Sequence, residues 1–357
     1  MDSFQKSKLM VFPRSVLIGH GVISEVATLS QDLELGETVL VASGPKTFKL
    51  AGESVGKHLE KGDYKVHHAP VEKATMKEVD KTVAAAEAKG CEAIFGVGGG
   101  TVVDVAKLAA YRLKVPFVSV PTSPAHDGLA SGRASVSDAE EKKSMEATSP
   151  LGILADTAVI QKAPYRFLAS GCADILSNTT AVLDWQLAER LRGEEYSSFA
   201  AVLSKTAAEL ILNNADAIKP GLEESSWFVM KSLITSGVAM SVAGTSRPAS
   251  GAEHMFSHQL DRLAPGRALH GEQCGIGTIL TMYLHGGDWQ KIRDTLKKVG
   301  APTTAKELGI PKKKIIQALC TAHEVRPERY TILGDKGLTP QAAAKLAKET
   351  GVVGGIL

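Results

Sequence analysis

The sequence predicts an N-terminal α/β domain of Rossmann-like type, built on a parallel sheet, followed by an all-helical (all-α) C-terminal domain. Three observations carry that reading. Through roughly the first 160 residues, short apolar runs alternate with helix-length stretches, and repeated strand–helix units give a parallel sheet with right-handed crossovers. Beyond Pro164 the chain turns alanine- and leucine-rich with helical apolar spacing and few β-branched runs. The length of 357 residues exceeds one small core, so two domains are expected, at 1–163 and 164–357.

Taken in order, residues 38–42 (TVLVA) read as a strand ending at Ser43-Gly44-Pro45, with residues 46–59 as the following helix. Residues 65–68 form a weaker strand and 76–89 a helix. Residues 93–97 (AIFGV) are a buried strand, 101–113 a helix, and 116–120 (PFVSV) another strand. Residues 152–160 (GILADTAVI) read as the last strand. Helical spacing then marks 173–191, 199–217, 225–243, 275–284, 311–323 and 339–350, the last opened by Thr339 as cap and Pro340 in the first turn.

Composition narrows the function. A net charge of +2, with no basic run interleaved with aromatics, gives no electrostatic case for nucleic acid. No membrane insertion is expected, because no stretch of about 18 apolar residues stands out. The N-terminus lacks the apolar core of a signal peptide. Cys91, Cys172, Cys274 and Cys320 are scattered without a CxxC pair, so buried thiols are expected rather than disulfides or zinc ligands. A cytoplasmic address follows.

Two loops carry candidate ligand contacts. At residues 95–107 a strand runs through Gly98-Gly99-Gly100 into a helix beginning Thr101-Val102. Glycines without Cβ let backbone amides approach a pyrophosphate at a helix N-terminus. The run is neither GxGxxG nor a Walker A loop, and a plain tight turn is the simpler alternative. Asp104, in the first turn, complements the helix dipole. The next strand ends in Pro121-Thr122-Ser123-Pro124-Ala125-His126-Asp127-Gly128-Leu129-Ala130-Ser131. In a parallel sheet both loops emerge at the same carboxyl edge, where ligands bind. Asp127 offers a carboxylate to a substrate hydroxyl; a polar connector is the competing reading.

Three of the ten histidines lie within 17 residues: His254, His258 and His270. His254 and His258, four apart, share one helical face. Asp174, among apolar neighbours at a helix start, supplies a carboxylate. Asp174, His254 and His270 together would hold a metal with one position open to a substrate oxygen, and His258 would then meet substrate. Against this stand a capping aspartate and histidines satisfied in a core or on a wet face.

With these pieces assembled, the chain resembles the sn-glycerol-1-phosphate dehydrogenase family, in the superfamily of glycerol dehydrogenase, iron-type alcohol dehydrogenase and dehydroquinate synthase. The resemblance runs from Arg14-Ser15-Val16 through the 270s. It is carried in order by GGGTVVDVAK (98–107), PTSPAHDGLASG (121–132), ASGCADILSNTTAVLDW (169–185), SGAEHMFSHQLD (250–261) and LHGEQCGIGTI (269–279). It implies a dehydroquinate synthase-like fold and reduction of dihydroxyacetone phosphate to sn-glycerol 1-phosphate by NADH or NADPH. The product would feed archaeal membrane phospholipid biosynthesis. It also implies a Zn2+ site at Asp174, His254 and His270, with Asp174, Asp127 and His258 on the substrate. Cofactor contacts would be Gly98, Gly99, Gly100, Thr101, Val102, Thr122, Ser123, Pro124, Ala125 and Ser131. The expected partners are a small phosphorylated triose and further copies of the chain in a homo-oligomer.

Some positions depart from the pattern. Asn178 stands where iron-type relatives usually carry a histidine, which favours three protein ligands and zinc. No acid follows the strand at 38–42 to meet a ribose 2′-hydroxyl; Lys46 stands there instead, so NADPH is expected to serve at least as well as NADH. Arg133 is a candidate for the substrate phosphate. The competing functions are a glycerol dehydrogenase on unphosphorylated polyol, a dehydroquinate synthase-type lyase, and a non-catalytic nucleotide binder.

Overall fold

The computed structural model describes residues 10–138 and 141–354. The strands are β1 (Ser15–Gly19), β2 (Thr38–Ser43), β3 (Lys65–Pro70), β4 (Ala93–Gly98), β5 (Phe117–Pro121), β6 (Arg133–Asp138), β7 (Glu141–Glu146) and β8 (Gly152–Asp156). Six of them form one sheet in the order β1-β8-β5-β4-β2-β3, with every pairing parallel. Its inner strands β2, β4, β5 and β8 are buried on both faces, as position between helix layers demands. Val39 and Val41 join Phe95, Val97 and Val118 in one core, while Leu40, Ala42, Ile94 and Phe117 point into the opposite one. Helices α1 (Val26–Asp32), α2 (Glu53–Lys61), α3 (Met76–Ala88) and α4 (Gly100–Leu113) accompany this sheet.

One expectation for this part needs correction, one needs refinement, and two features went unread. The segment 152–160 is not all strand: β8 stops at Asp156, whose carboxylate accepts from the amides of Ala158 and Val159 and starts a helical turn over Thr157–Ile160. The same carboxylate accepts from Gly21 and Ile23, tying the chain after β1 to the end of β8. Residues 46–59 are helical as expected, but not uniformly α-helical. A short turn at Pro45–Thr47 and a wider π-type turn at Phe48–Gly52 precede α2. Gly52 sits where a Cβ would lie 3.1 Å from Ser43 Oγ, so the chain is pressed onto the strand end before α2 begins. Finally, β1 and the antiparallel pair β6–β7 gave no clear sequence signal. The first is a half-exposed edge strand and the second is largely polar.

The second half consists of α5 (Tyr165–Arg192), α6 (Ser198–Asn214), α7 (Glu223–Ala243), α8 (Ala252–Leu263), α9 (His270–Leu284), α10 (Trp289–Lys298), α11 (Lys312–Thr321) and α12 (Pro340–Glu349), with shorter turns between them. Thr339 caps α12 as expected, accepting from the Ala342 amide. The 28-residue α5 is the axis of this part and ends at Gly193 with φ 64°, the left-handed stop that favours glycine. Cys172, Ile175 and Leu176 of α5, Phe256 of α8, and Ile276 and Ile279 of α9 share one core with Ile153 and Ala155 of β8. The sheet's β8 is thus packed into the helical half. α7 is long and apolar enough to span a membrane, with mean hydropathy 1.2, but 67% of that window is buried inside the protein, as in a core helix.

Candidate active site

β4 runs straight into the glycine turn, and Gly99 is the N-cap residue of the 14-residue α4. The Thr122 amide donates to Gly98 O at 3.0 Å, stitching the second loop to the first. Substituents are excluded here: a Cβ on Gly98 would lie 2.6 Å from Val102 Cβ, and one on Gly100 would overlap the His126 ring nitrogen Nε2. The result is a hollow lined by Gly98, Gly99, Gly100, Val103, Pro121, Ser123, Ala125, His126 and Leu129. It opens over the N-terminus of α4, where amides and dipole favour a phosphate diester. Of the remaining expected cofactor contacts, Val102, Thr122, Pro124 and Ser131 are buried beneath the loops and Thr101 is exposed. Asp104 is not simply a helix-dipole residue: it is buried, and its Oδ2 accepts from the Ser135 amide at 3.1 Å.

The second loop is held by the helical half. A Cβ at Gly171 of α5 would overlap Pro124 O, and Ser170 Oγ donates to Ala125 O at 3.1 Å. The Asp127 amide donates to Asp174 Oδ2 at 2.9 Å, so cofactor loop and metal candidate share a hydrogen bond. The Asp127 carboxylate accepts from Ser236 Oγ at 2.7 Å, and that hydroxyl accepts from Asn178 Nδ2 at 2.9 Å. Asn178, at the position that set this chain apart from iron-type relatives, therefore anchors Asp127.

Asp174 lies deep inside α5, not at its start, so the capping alternative falls. Its Oδ1 is buried without a hydrogen-bond partner, which is rare for a buried polar atom and needs a cause. Nε2 of His254 and Nε2 of His270 each lie 3.7 Å from that oxygen. Cys274 Sγ lies 3.6 Å from His270 Nε2, and the four donors lie within 4.8 Å of one another. Tetrahedral zinc with mixed nitrogen, oxygen and sulfur ligands has edges of roughly 3.3–3.8 Å from its bond lengths. The donors present thus fit zinc. Each imidazole is oriented from behind: His254 Nδ1 sits 3.1 Å from Glu253 Oε1, and His270 Nδ1 3.1 Å from Ser257 Oγ, the arrangement that fixes a metal-binding tautomer.

Electrostatics agree. Burial and the neighbouring Asp127 charge push the Asp174 carboxyl up to about 7. A buried carboxylate this unfavourable calls for a cation. Burial pushes the Cys274 thiol up to about 11. Burial opposes charge on His254, but Cys274 and Glu253 outweigh it and raise the imidazole well above its usual value. His258 stands on the same face of α8, its ring 6.5 Å from that of His254 and 5.7 Å from that of His270.

The structure therefore gathers Asp174, His254, His270, His258 and Asp127 at one place beside the glycine hollow. Cys274, expected to be a buried thiol rather than a zinc ligand, is buried but stands among the candidate metal donors; its four-residue spacing from His270 on one helix would have flagged it. Residue reading passed over His126, whose ring stands 6.3 Å from that of His270, and Glu253, whose Oε2 accepts from Thr180 Oγ1 at 2.9 Å. No local signal marks the last two.

Residues 17–164 match the family model described as iron-containing alcohol dehydrogenase. Glycerol-1-phosphate dehydrogenase (NAD(P)+) of Methanosarcina mazei is 55% identical over 97% of this chain and 97% of its own. That of Methanothermobacter thermautotrophicus is 53% identical over 96% and 98%. Among solved structures, glycerol dehydrogenase from Schizosaccharomyces pombe superposes with a TM-score of 0.82 at 20% identity, covering 97% of this chain and 91% of that one; at that identity it shows the fold alone.

Proposed function

This chain belongs to the NAD(P)+-dependent glycerol-1-phosphate dehydrogenases, and we propose that it reduces dihydroxyacetone phosphate to sn-glycerol 1-phosphate in the cleft between residues 1–163 and 164–357. One observation carries the site assignment: the orphaned Asp174 Oδ1, ringed by imidazole nitrogens and one hydrogen bond away from the loop beside the glycine hollow. Asp174, His254 and His270 would hold zinc, with Cys274 as a fourth donor before substrate binds. When bound, zinc supplies Lewis acidity toward the carbonyl oxygen and the reduced nicotinamide supplies hydride.

The rest falls to the chain itself. Gly98, Gly99, Gly100, Thr101 and Val102 seat the pyrophosphate against α4. Thr122, Ser123, Pro124, Ala125 and Ser131 wall the cofactor, kept in place by Ser170. Asp127, braced by Ser236 and Asn178, accepts a hydrogen bond from a substrate hydroxyl. His258 faces the reacting carbon's oxygen from α8 and passes it a proton. Lys46, exposed on the turn after β2, would meet a 2′-phosphate, so NADPH serves at least as well as NADH. Free, mostly buried thiols suit a reducing cytoplasm. The exposed Phe199 and Val202, one turn apart on α6, suit a homo-oligomer.

The test is NAD(P)H oxidation with dihydroxyacetone phosphate and with free dihydroxyacetone, before and after chelation, with chiral resolution of the product. Phosphate-dependent, chelator-sensitive formation of the sn-1 ester is expected. Equal rates on both ketones, or full activity without metal, would sink the reading.

A further inference from the structure

We propose that Arg133, Arg326 and Arg329 form an anion subsite for the phosphate end of a phosphorylated substrate, bridging the two halves of the chain; this rests on the function proposed above. Arg329 donates through Nη1 to Ser250 O at 2.7 Å and through Nη2 to Ser246 Oγ at 3.0 Å. Arg326 Nη1 reaches the same Ser246 hydroxyl at 3.3 Å. Two guanidiniums therefore meet on one neutral oxygen. From the other half of the chain, Arg133 on β6 donates through Nη2 to Ser144 O at 3.0 Å, while its Nε is buried with no partner.

The charges around this group do not balance. Among the described residues none of the three makes an ion pair, whereas neighbouring Arg247 is held by both oxygens of Glu194. Burial holds all three guanidiniums below their usual range. Arg133 and Arg247 depress Arg326 further, and Arg326 and Arg247 depress Arg329. The opposing carboxylates are Glu146 toward Arg133, Glu328 toward the other two, and Glu194, already engaged by Arg247. Half-buried cations that repel one another and hold only carbonyls and a hydroxyl are arranged to take an anion. Planar forks with two donors each match phosphate oxygens.

Position selects the ligand. Ser250 precedes the cap of α8 by one residue, so Arg329 is anchored about one helical turn upstream of His254. Arg133 follows two residues after Ser131 of the second cofactor loop. The subsite is thus tied on one side to the residues leading into the His254 helix and on the other to the strand after the second cofactor loop, a placement suited to the non-reacting end of a short phosphate ester.

Arg326→Gln and Arg133→Gln test this; Arg329, which holds the Ser250 carbonyl, is left in place. Inorganic phosphate, compared with chloride at equal ionic strength, should raise the Tm of the wild-type enzyme and compete with dihydroxyacetone phosphate. Each variant should lose that Tm shift. Each should also lower the ratio of kcat/KM for dihydroxyacetone phosphate over free dihydroxyacetone by about 10- to 100-fold. A phosphate shift that persists in both variants, or an equal loss on both ketones, overturns the subsite. A loss confined to NADPH against NADH also overturns it, by giving the anion to the cofactor. If wild type does not prefer the phosphate ester, the proposed function fails, and the phosphate-induced Tm shift still decides whether the arginines bind the anion.

Discussion

Asp174→Asn should make the metal-free protein more stable while abolishing its metal site. In the folded chain burial and the charge of Asp127 raise this carboxyl to about 7 from an ordinary 3.8. A raised carboxyl pKa means that folding disfavours the ionised form. The penalty is absent below the ordinary value, grows as pH rises, and is complete above about 7. Three units correspond to about 4 kcal/mol at pH 8, and to about 2 kcal/mol near pH 5.5. Asparagine keeps an oxygen for the Asp127 amide, which Asp174 Oδ2 now accepts, and carries no charge. Urea unfolding of chelated wild type and variant should therefore show the variant ahead by up to about 4 kcal/mol at pH 8, with the gap closing toward pH 5. Metal content and kcat/KM should collapse together, kcat/KM by at least about a thousandfold. A variant that is less stable than chelated wild type at pH 8, or a gap that ignores pH, would refute the account of Asp174 as an anion awaiting a cation.

Three further outcomes follow from other contacts. Cobalt-substituted wild type should show a near-ultraviolet thiolate-to-cobalt band that Cys274→Ser lacks; a band unchanged by the substitution removes Cys274 from the donor set. Gly100→Ala places a Cβ on the His126 ring, so KM for NAD(P)H should rise about tenfold or more with the fold retained; an unchanged KM would mean the cofactor does not approach Gly100. Lys107 is fully buried, and burial lowers it to about 8 against the pull of Asp104 and Asp127. Folding then favours its neutral form, so wild type should gain up to about 3 kcal/mol as pH climbs from 8 to about 10.5. Lys107→Met should not show that rise, and a parallel pH profile in both proteins would contradict the shift.

Much of the molecule was legible because its signals are local. The buried strands β2 and β4 are almost wholly apolar and β5 is interrupted only by the buried Ser119, and α6, α7 and α12 begin and end within a few residues of their periodic pattern. The extension of β8 to residue 160 failed because Asp156, not hydropathy, ends the strand by capping the next turn. The helix expected at 46–59 is present but carries a π-type turn at Phe48–Gly52, where Gly52 lies against Ser43 at the end of β2. β1 stayed hidden because an edge strand needs only weak apolar alternation, and β6–β7 because its residues are mainly polar.

By itself the sequence determined the α/β-then-helical order, the glycine turn before α4, and the histidines and aspartates available for chemistry, since each depends on neighbours along the chain. Only the tertiary structure decided which of them meet. It buried Asp174 in mid-helix with Oδ1 unpaired, added Cys274 from the turn after His270, and set Asn178 and Ser236 behind Asp127. It also brought Arg133 toward Arg326 across nearly two hundred positions. Such pairings depend on how α5, α7, α8 and α9 pack against the two loops, and packing is a property of the whole core that no local spacing encodes.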